Sequence, residues 1–274
     1  MTRAATPRRI VIVAYPGVQS LDVTGPLEVF AGARQLIEWA GRREPTYEIE
    51  LLSRKGQALR TSSGLTIVPD ASLERPPRPI DTLVIAGGRG QREACEDAQL
   101  IGWIARASAG ARRTASVCSG AFLLARAGLL DGRRVTTHWA DAERLAGEYP
   151  RVEVDPDPIY IKDGSIWTSA GVTAGMDLAL ALVEDDLDRE AALLIARHLV
   201  LFLRRPGNQS QFSATLVAQA PRREPLRETQ RAVLEDIAAV HTVEAMAARA
   251  NMSPRHFARA FRAETGVTPA RYVE

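Results

Sequence analysis

The sequence predicts an α/β domain with a mainly parallel sheet sandwiched by helices, followed by a small all-helical domain. Over the first two thirds of the chain, short apolar β-branched runs alternate with longer helical patterns, as in strands joined by crossover helices. Past a segment interrupted by proline and glycine, residues 204–227, only helical patterns follow. With 274 residues, 46% hydrophobic and 25% charged, the chain is long enough for two cores and is not extensively disordered or fibrous.

The strands are predicted from the apolar runs. The run at residues 10–14 has no polar position, which is typical of a strand covered on both faces. Similar runs occupy residues 47–52, 82–85, 114–117 and 165–169, and helical patterns occupy 27–39, 100–109, 121–127, 140–149, 173–184 and 189–204. In the tail, helices are predicted over 226–240, 243–250 and 254–264. We therefore expect a front domain at 1–204, a linker at 205–226 and a helical domain at 227–274.

Charge and cysteine content limit the classes of function. The 35 basic and 33 acidic residues give a net charge of +2, and the excess lies after residue 221, where nine arginines face seven acids. That excess is too small to establish nucleic-acid binding by itself. Two cysteines, Cys95 and Cys118, cannot form a disulfide framework or a cysteine-only metal site, and this fits a reducing, cytoplasmic location. We also expect no metal site and no cofactor. Neither a secretory signal pattern nor an apolar run of about 18 residues is present, so no membrane segment is expected.

The tail contains residues that typically end one helix and begin the next, as in a helix-turn-helix. Asn251 suits the left-handed conformation that ends a helix, Ser253 can cap the next helix, and Pro254 suits its first turn. Phe257 and Phe261, four residues apart, share one face of that second helix and can pack on the first. The turn between the two helices is predicted to be about three residues long.

The opposite face of the second helix carries Arg255, Arg259 and Arg262 at i, i+4 and i+7. This stripe suits a helix that enters a DNA major groove, and geometry alone equally allows a helical hairpin with a solvated arginine face. The segment 252–273, MSPRHFARAFRAETGVTPARYV, resembles the first helix-turn-helix of the AraC family of transcription regulators. The resemblance implies promoter DNA as partner, base contacts from Arg255 and Arg259, and only apolar contact from Ala258. The resemblance also implies that residues 227–274 are the first half of a bipartite DNA-binding domain that is truncated in this chain.

In the front domain, residues 114–122 run from a strand through small residues into a helix, which places Cys118 on a sharp elbow at a helix N-terminus. The positive helix end is expected to favour the thiolate, although a buried structural cysteine is the alternative. The turn at 86–90, Ala-Gly-Gly-Arg-Gly, can bring the Gly88 amide near the sulfur as an oxyanion site, or it can simply make a tight turn. Acidic neighbours are expected to raise the pKa of Cys95 and make it a poor nucleophile.

Together with residues 21–30, 135–139 and 168–177, these turns resemble the PfpI-type branch of the class I glutamine amidotransferase-like superfamily, especially isocyanide hydratases. The resemblance spans residues 10–203 and implies a flavodoxin-like fold. It assigns Cys118 to the nucleophile position, Asp22 to the nearby acid, and Gly88 and Ser119 to the adjacent pocket. Because Ser119 replaces the histidine of the protease members, protease activity is not expected. His138 is assigned a secondary place in the pocket, since a lone histidine beside tryptophan is more often a packing residue.

A PfpI-like domain followed by an AraC-like tail resembles the GlxA-type transcriptional regulators. The resemblance implies a sequence-specific regulator whose front domain senses a small-molecule effector or mediates dimerisation. The apolar helix at 191–203 offers surface for a homodimer. The alternatives are a Cys118/Asp22 hydratase or lyase, and a redox or carbonyl-stress chaperone that depends on Cys118 alone.

Overall fold

The computed structural model describes residues 6–40, 45–75, 78–203, 208–209, 223–235 and 241–273. The chain separates into two compact units, Met1–Pro206 and Gly207–Glu274. Most of the expected linker at 205–226, and the end of the helix predicted over 226–240, lie outside the described residues.

A seven-stranded sheet organises the front unit. Its strands are β1 Arg8–Ala14, β2 Tyr47–Ser53, β5 Ala71–Ser72, β6 Thr82–Ile85, β7 Arg113–Val117, β10 Tyr160–Asp163 and β11 Ile166–Ser169. Across the sheet they lie in the order β10-β11-β7-β6-β1-β2-β5. Every neighbouring pair is parallel except β10 and β11 at one edge. Four two-residue strands form separate pairs: β3 Leu59–Arg60 with β4 Thr66–Ile67, and β8 Arg134–Val135 with β9 Glu153–Val154. The predicted mainly parallel sheet is confirmed.

Helices cover both faces of the sheet. The side chains of β1 alternate between two cores: Ile10 and Ile12 pack on one side, Val11 and Val13 on the other, and all four are fully buried. The first core is closed by α1 Ser20–Trp39, α6 Ala174–Asp186 and α7 Arg189–His198. The second is closed by α2 Gln91–Glu96, α3 Ala98–Gly110, α4 Gly120–Arg126 and α5 Ala142–Glu148.

Two predicted helix boundaries in the front unit are wrong. Helix α1 begins at Ser20, seven residues before the predicted start, and contains Pro26 in its interior. Proline disfavours helix at the residue before it, which is why the sequence pattern pointed to a later start. Helix α7 ends at His198 instead of 204, and Val200 shortly after it has a positive φ of 55°. The earlier start of α1 places Asp22 in the first turn of a buried helix, beside the candidate site.

The tail unit contains α8 Glu224–Glu235, α9 Val243–Arg249, α10 Pro254–Thr265 and α11 Pro269–Val273. Its core joins Leu226, Met246, Phe257 and Phe261. The turn between α9 and α10 has the predicted chemistry: Asn251 takes a positive φ of 58°, and the Ser253 hydroxyl accepts the amide of the third following residue. The tail therefore has its own apolar core, in which α10 is anchored by its two phenylalanines.

Candidate functional site

The front-unit site lies where the parallel strands end. The segments after β1, β6, β7 and β11 carry Asp22, Gly88, Cys118 and Val172, respectively. Because neighbouring parallel strands bring their carboxyl ends to one edge of a sheet, residues far apart in sequence meet there. Crevices at this edge are the usual ligand sites of open α/β sheets.

Cys118 occupies the sharp elbow that the sequence predicted. Its φ is 55°, its N–H donates to the Ser169 carbonyl at 3.1 Å, and its own carbonyl accepts the Thr137 hydroxyl at 2.8 Å. Gly171 packs against the elbow so closely that a Cβ there would lie 2.1 Å from the Cβ of Cys118. Both the strained backbone and the required glycine are built into the fold around this one side chain.

The protonation of Cys118 is opposite to the sequence-based expectation of a favoured thiolate. Burial, followed by the nearby Asp22 carboxylate, raises the pKa of the thiol to about 12, although the Ser119 amide hydrogen bond acts in the other direction. Removal of the sulfur from water therefore outweighs the positive helix end. Near neutral pH the side chain is a thiol.

Asp22 is fully buried and holds two of the site's loops. Its Oδ2 accepts the Gly87 N–H at 3.0 Å, and its Oδ1 accepts the Val172 N–H at 2.8 Å. Burial raises the pKa of this carboxyl to about 6, against the lowering effect of the two amide hydrogen bonds. One carboxyl thus ties the turn after β6 to the turn after β11.

Gly88 does not present a free amide to the sulfur. Its N–H donates to the Ser119 hydroxyl at 2.9 Å, so the donor expected to form an oxyanion site is already hydrogen-bonded. A Cβ at this position would lie 2.4 Å from the Gln19 nitrogen and 2.5 Å from the Gly17 oxygen, which explains the glycine by close packing. Gly88 and Ser119 together link the turn after β6 to the elbow.

His138 lies at the same cleft but is engaged locally. Its Nδ1 accepts the Ala140 N–H at 3.3 Å, and its ring lies 5.3 Å from that of Trp139. Burial lowers the pKa of the imidazole, against the opposing charge of Asp141, so it is neutral near pH 7. These contacts fit the secondary place that the sequence assigned to it.

A cleft of about 420 Å³ opens above the elbow. Of the residues predicted for this site, Cys118, Gly88, Ser119 and His138 line it, whereas Asp22 lies buried outside its lining. Sequence reasoning missed the other lining residues: Gln19, Ser62, Arg89, Gln91, Arg92, Asp141, Arg144 and Val172. The run Arg-Gly-Gln-Arg directly after the double glycine was the one available signal.

Cys95 is the second thiol, on α2. It is half-buried, and its sulfur accepts a hydrogen bond from the Gln91 side chain at 3.1 Å. Its pKa is raised, as predicted, but mainly by burial. The acidic neighbours in sequence are not the main cause.

The second candidate surface is the arginine face of α10. Arg255, Arg259 and Arg262 are all exposed, while Phe257 and Phe261 on the opposite side are fully buried. None of the three arginines forms an ion pair with another described residue. Their guanidinium groups are therefore available to phosphates and base edges.

In the described part of the chain, no helix is both long and apolar enough to cross a membrane. Among the same residues, no group of three or more His, Cys, Asp or Glu side chains is arranged to hold a metal ion.

Comparison with known proteins assigns both units. Residues 8–185 match the DJ-1/PfpI family, and residues 241–274 match the bacterial regulatory helix-turn-helix proteins of the AraC family. An isonitrile hydratase of Pseudomonas putida is 33% identical over 70% of this chain and 77% of its own length. The HTH-type transcriptional regulator GbdR of Pseudomonas aeruginosa is 28% identical over 97% of this chain and 70% of its own.

Two further comparisons cover both units. GlxA of Rhizobium meliloti, an HTH-type transcriptional regulator, is 30% identical over 83% of this chain and 69% of its own. The crystal structure of a THiJ/PfpI family protein from Pseudomonas syringae covers 96% of this chain and 93% of its own, with 25% identity and a TM-score of 0.64. The chain therefore belongs to the DJ-1/PfpI family and, with its AraC-family helix-turn-helix, is a DNA-binding transcriptional regulator with a PfpI-like front domain.

Proposed function

We propose that the regulator reads promoter DNA with Arg255, Arg259 and Arg262, and that the cleft at Cys118 binds a small-molecule effector. The observation that carries the first part is the two-sided character of α10, whose phenylalanine face is buried while its arginine face is exposed and unpaired within the described residues. A helix held in this way can present its amino-terminal side chains to a major groove. Two unbridged cysteines and a DNA partner fit a cytoplasmic protein.

The DNA assignment is tested with duplexes selected by the full chain from a random pool. Arg259→Ala is expected to weaken binding to the selected sequence by about 1 to 3 kcal/mol and to weaken binding to random DNA much less. Arg189→Ala, an exposed arginine of α7 in the front unit, is the matched control and should leave both affinities unchanged. Equal losses on both DNAs would make Arg259 a phosphate contact, and no loss on either would remove it from the interface.

The effector assignment is supported by the geometry of the cleft. Its volume of about 420 Å³ suits a small molecule, and its lining combines a thiol, an imidazole and three arginines, Arg89, Arg92 and Arg144. The buried Asp22 fixes the loops on either side, so the cleft is largely preformed. Screening small molecules for a shift in unfolding temperature, in the chain and in Cys118→Trp, tests it: a true cleft ligand stabilises only the unmodified chain.

We also propose a homodimer formed through the front unit. Helices α1 and α7 expose an apolar surface, with Trp39 78%, Leu193 44% and Leu194 42% accessible, and Phe202 beyond α7 is 69% accessible. Trp39 and Leu194 line one surface cavity between α1 and α7, and an exposed apolar patch of this kind often marks an interface. Sedimentation should show a dimer at micromolar concentration and a monomer for Leu194→Glu; a strict monomer of the unmodified chain would contradict this assignment.

Isonitrile hydration is the second candidate, favoured by the similarity to an isonitrile hydratase and by the Cys118 and Asp22 pair. Hydration adds one water to the isonitrile and gives an N-substituted formamide, which needs a nucleophile that attacks the isonitrile carbon and an acid that protonates it. The neutral thiol and the hydrogen-bonded Gly88 amide argue against efficient turnover. Formamide release from a simple alkyl isonitrile, absent in Cys118→Ala, would establish the enzyme; no release would leave binding as the role of the cleft.

A further inference from the structure

A second cavity of about 560 Å³ lies in the front unit, and none of its lining residues lines the Cys118 cleft. We call it the Arg9 cavity. Its walls come from β1, β2, the segments flanking β5 and β6, and the carboxyl-terminal half of α3. Its lining residues are Arg9, Leu52, Ser72, Leu73, Arg75, Arg78, Pro79, Ile80, Trp103, Arg106, Ala107 and Gly110. Its size falls within the range of small-molecule sites.

The cavity has more positive than negative charge. Glu50 accepts hydrogen bonds from Arg9, Arg75 and Arg78, and Arg78 also pairs with Glu48 at 2.8 Å. Three guanidinium groups therefore share two carboxylates. Arg106, the fourth arginine, is exposed at the rim and forms no ion pair with any residue that the structure describes. The four lining arginines therefore exceed the two acids that pair with them by two positive charges.

Arg9 is held in place at the base of the arginine cluster. Arg9 is only 6% exposed, and besides Glu50 it donates to the Arg78 carbonyl at 2.9 Å. Burial alone would raise the pKa of Glu50, but the hydrogen bonds from Arg9 and Arg75 hold it below its usual range, so this carboxyl is ionised near neutral pH. Charged groups fixed in this way do not need to reorganise when a ligand arrives.

The remaining wall is apolar. Leu52 and Leu73 are buried in the second core, and Ile80, Trp103 and Ala107 pack against it while keeping some surface at the cavity. Apolar walls with a few fixed charged groups are the usual composition of a site for an amphipathic small molecule. Aromatic surface beside guanidinium groups also suits a planar ligand body.

We propose that the Arg9 cavity binds a small anionic ligand whose phosphate or carboxylate group sits on an apolar or aromatic body. The oxyanion pairs with Arg106 and with the donors of Arg75 that Glu50 does not use, because guanidinium groups bind both oxyanions with paired hydrogen bonds. The body of the ligand lies against Ile80 and Trp103. The regulator thus has a second small-molecule site, on a different part of the sheet from the cleft at Cys118.

Calorimetric titration of the full chain at low ionic strength tests this proposal with phenyl phosphate, benzoate and inorganic phosphate. One aromatic anion should bind per chain, and Arg106→Gln should weaken it about tenfold, as expected for one lost charge-assisted hydrogen bond pair. Arg126→Gln, which removes an exposed arginine of α4, should change the affinity less than twofold. Arg106 is exposed, so its variant is expected to fold, and tryptophan emission verifies this.

The pattern across probes and variants decides the outcome. Tighter binding of phenyl phosphate than of benzoate identifies a phosphate ligand, and the reverse order a carboxylate. Absence of binding by both aromatic anions overturns the proposal. So does equal binding of inorganic phosphate, which would show that the apolar wall is not used, and so does a loss in Arg92→Gln, which would place the probe in the Cys118 cleft.

Discussion

The buried carboxyl of Asp22 should make the stability of the front unit fall as the pH rises through the mildly acidic range. Burial raises the folded-state pKa from 3.8 to about 6, so between these values the folded chain binds more protons than the unfolded chain. At a pH below the unfolded-state pKa, the raised folded-state pKa of an acid contributes its full stabilisation. This contribution is lost as the pH rises through the folded-state pKa. The full effect is about 3 kcal/mol, because each pKa unit corresponds to about 1.4 kcal/mol.

Asp22→Asn removes this titration and nearly preserves the shape. From the two pKa values, proton linkage predicts that about 2 of the 3 kcal/mol of this stabilisation is lost between pH 4.5 and pH 7.5. The Asn amide nitrogen must face one of the two backbone N–H donors, Gly87 or Val172, and that mismatch costs about 1 to 3 kcal/mol at every pH. The stability of the variant relative to the unmodified chain should therefore rise by about 2 kcal/mol between pH 4.5 and pH 7.5. With a mismatch cost of about 2 kcal/mol, the variant is about 1 kcal/mol less stable than the unmodified chain at pH 4.5 and about 1 kcal/mol more stable at pH 7.5.

Urea unfolding followed by tryptophan emission measures the difference. All four tryptophans lie in the front unit, so the signal does not include the tail: Trp39, Trp103, Trp139 and Trp167. Subtracting the two chains at each pH cancels the titration of other groups. Glu28→Gln, an exposed acid on the same helix, is the matched control and should differ from the unmodified chain by a few tenths of a kcal/mol at both pH values. A pH-independent difference for Asp22→Asn would refute the assignment of a raised pKa.

Three further results are expected. Alkylation of Cys118 at pH 7.5 should be about a hundredfold slower than that of a free thiol, as measured by mass spectrometry in Cys95→Ser; a rate like a free thiol's would contradict the raised pKa. Gly171→Ala should lower the free energy of unfolding of the front unit, measured in urea, by about 3 kcal/mol or more. The new Cβ would lie 2.1 Å from the Cβ of Cys118, and residue 171 has a φ of +88°. Gly147→Ala, where a Cβ meets open space, is the control and should be neutral or stabilising. Asn251→Ala should speed hydrogen exchange of the α9 amides several-fold, because residue 251 has a positive φ that alanine disfavours and glycine tolerates. Asn251→Gly should therefore leave the exchange rates unchanged. Equal exchange rates in the two variants would refute this reasoning.

The sequence predicted the fold where the signal was long and periodic. The five strands of the central sheet that carry apolar runs were found within two residues of their ends, because burial on both faces requires such runs. Two-residue strands such as β3 and β8 were not predicted, since two positions carry no period. The edge strand β10, Tyr160–Asp163, was also missed: its single buried position gives no apolar run.

The site was predicted as a set of residues and not as a set of contacts. Gly88 and Cys118 were predicted because each follows a strand within a turn of small residues, and tight turns require such residues. The Gly88 amide is occupied because it donates to the Ser119 hydroxyl, and the burial that raises the pKa of Cys118 comes from the whole surrounding fold. Neither effect is a property of a local pattern, so neither could be read from the sequence.

The geometry around Cys118 favours recognition over turnover as the role of the cleft. Positive φ values at Cys118 and Val172 show that backbone strain is concentrated at this edge of the sheet, and Asp22 helps to maintain it with a buried carboxyl. Strain of this kind persists where a site must be held in one shape. A nucleophile for catalysis also needs a lowered pKa or a neighbouring base, whereas here burial and a carboxylate both raise the pKa of the thiol. A cleft lined by a protonated thiol and held by buried hydrogen bonds fits the proposed role of binding a small-molecule effector.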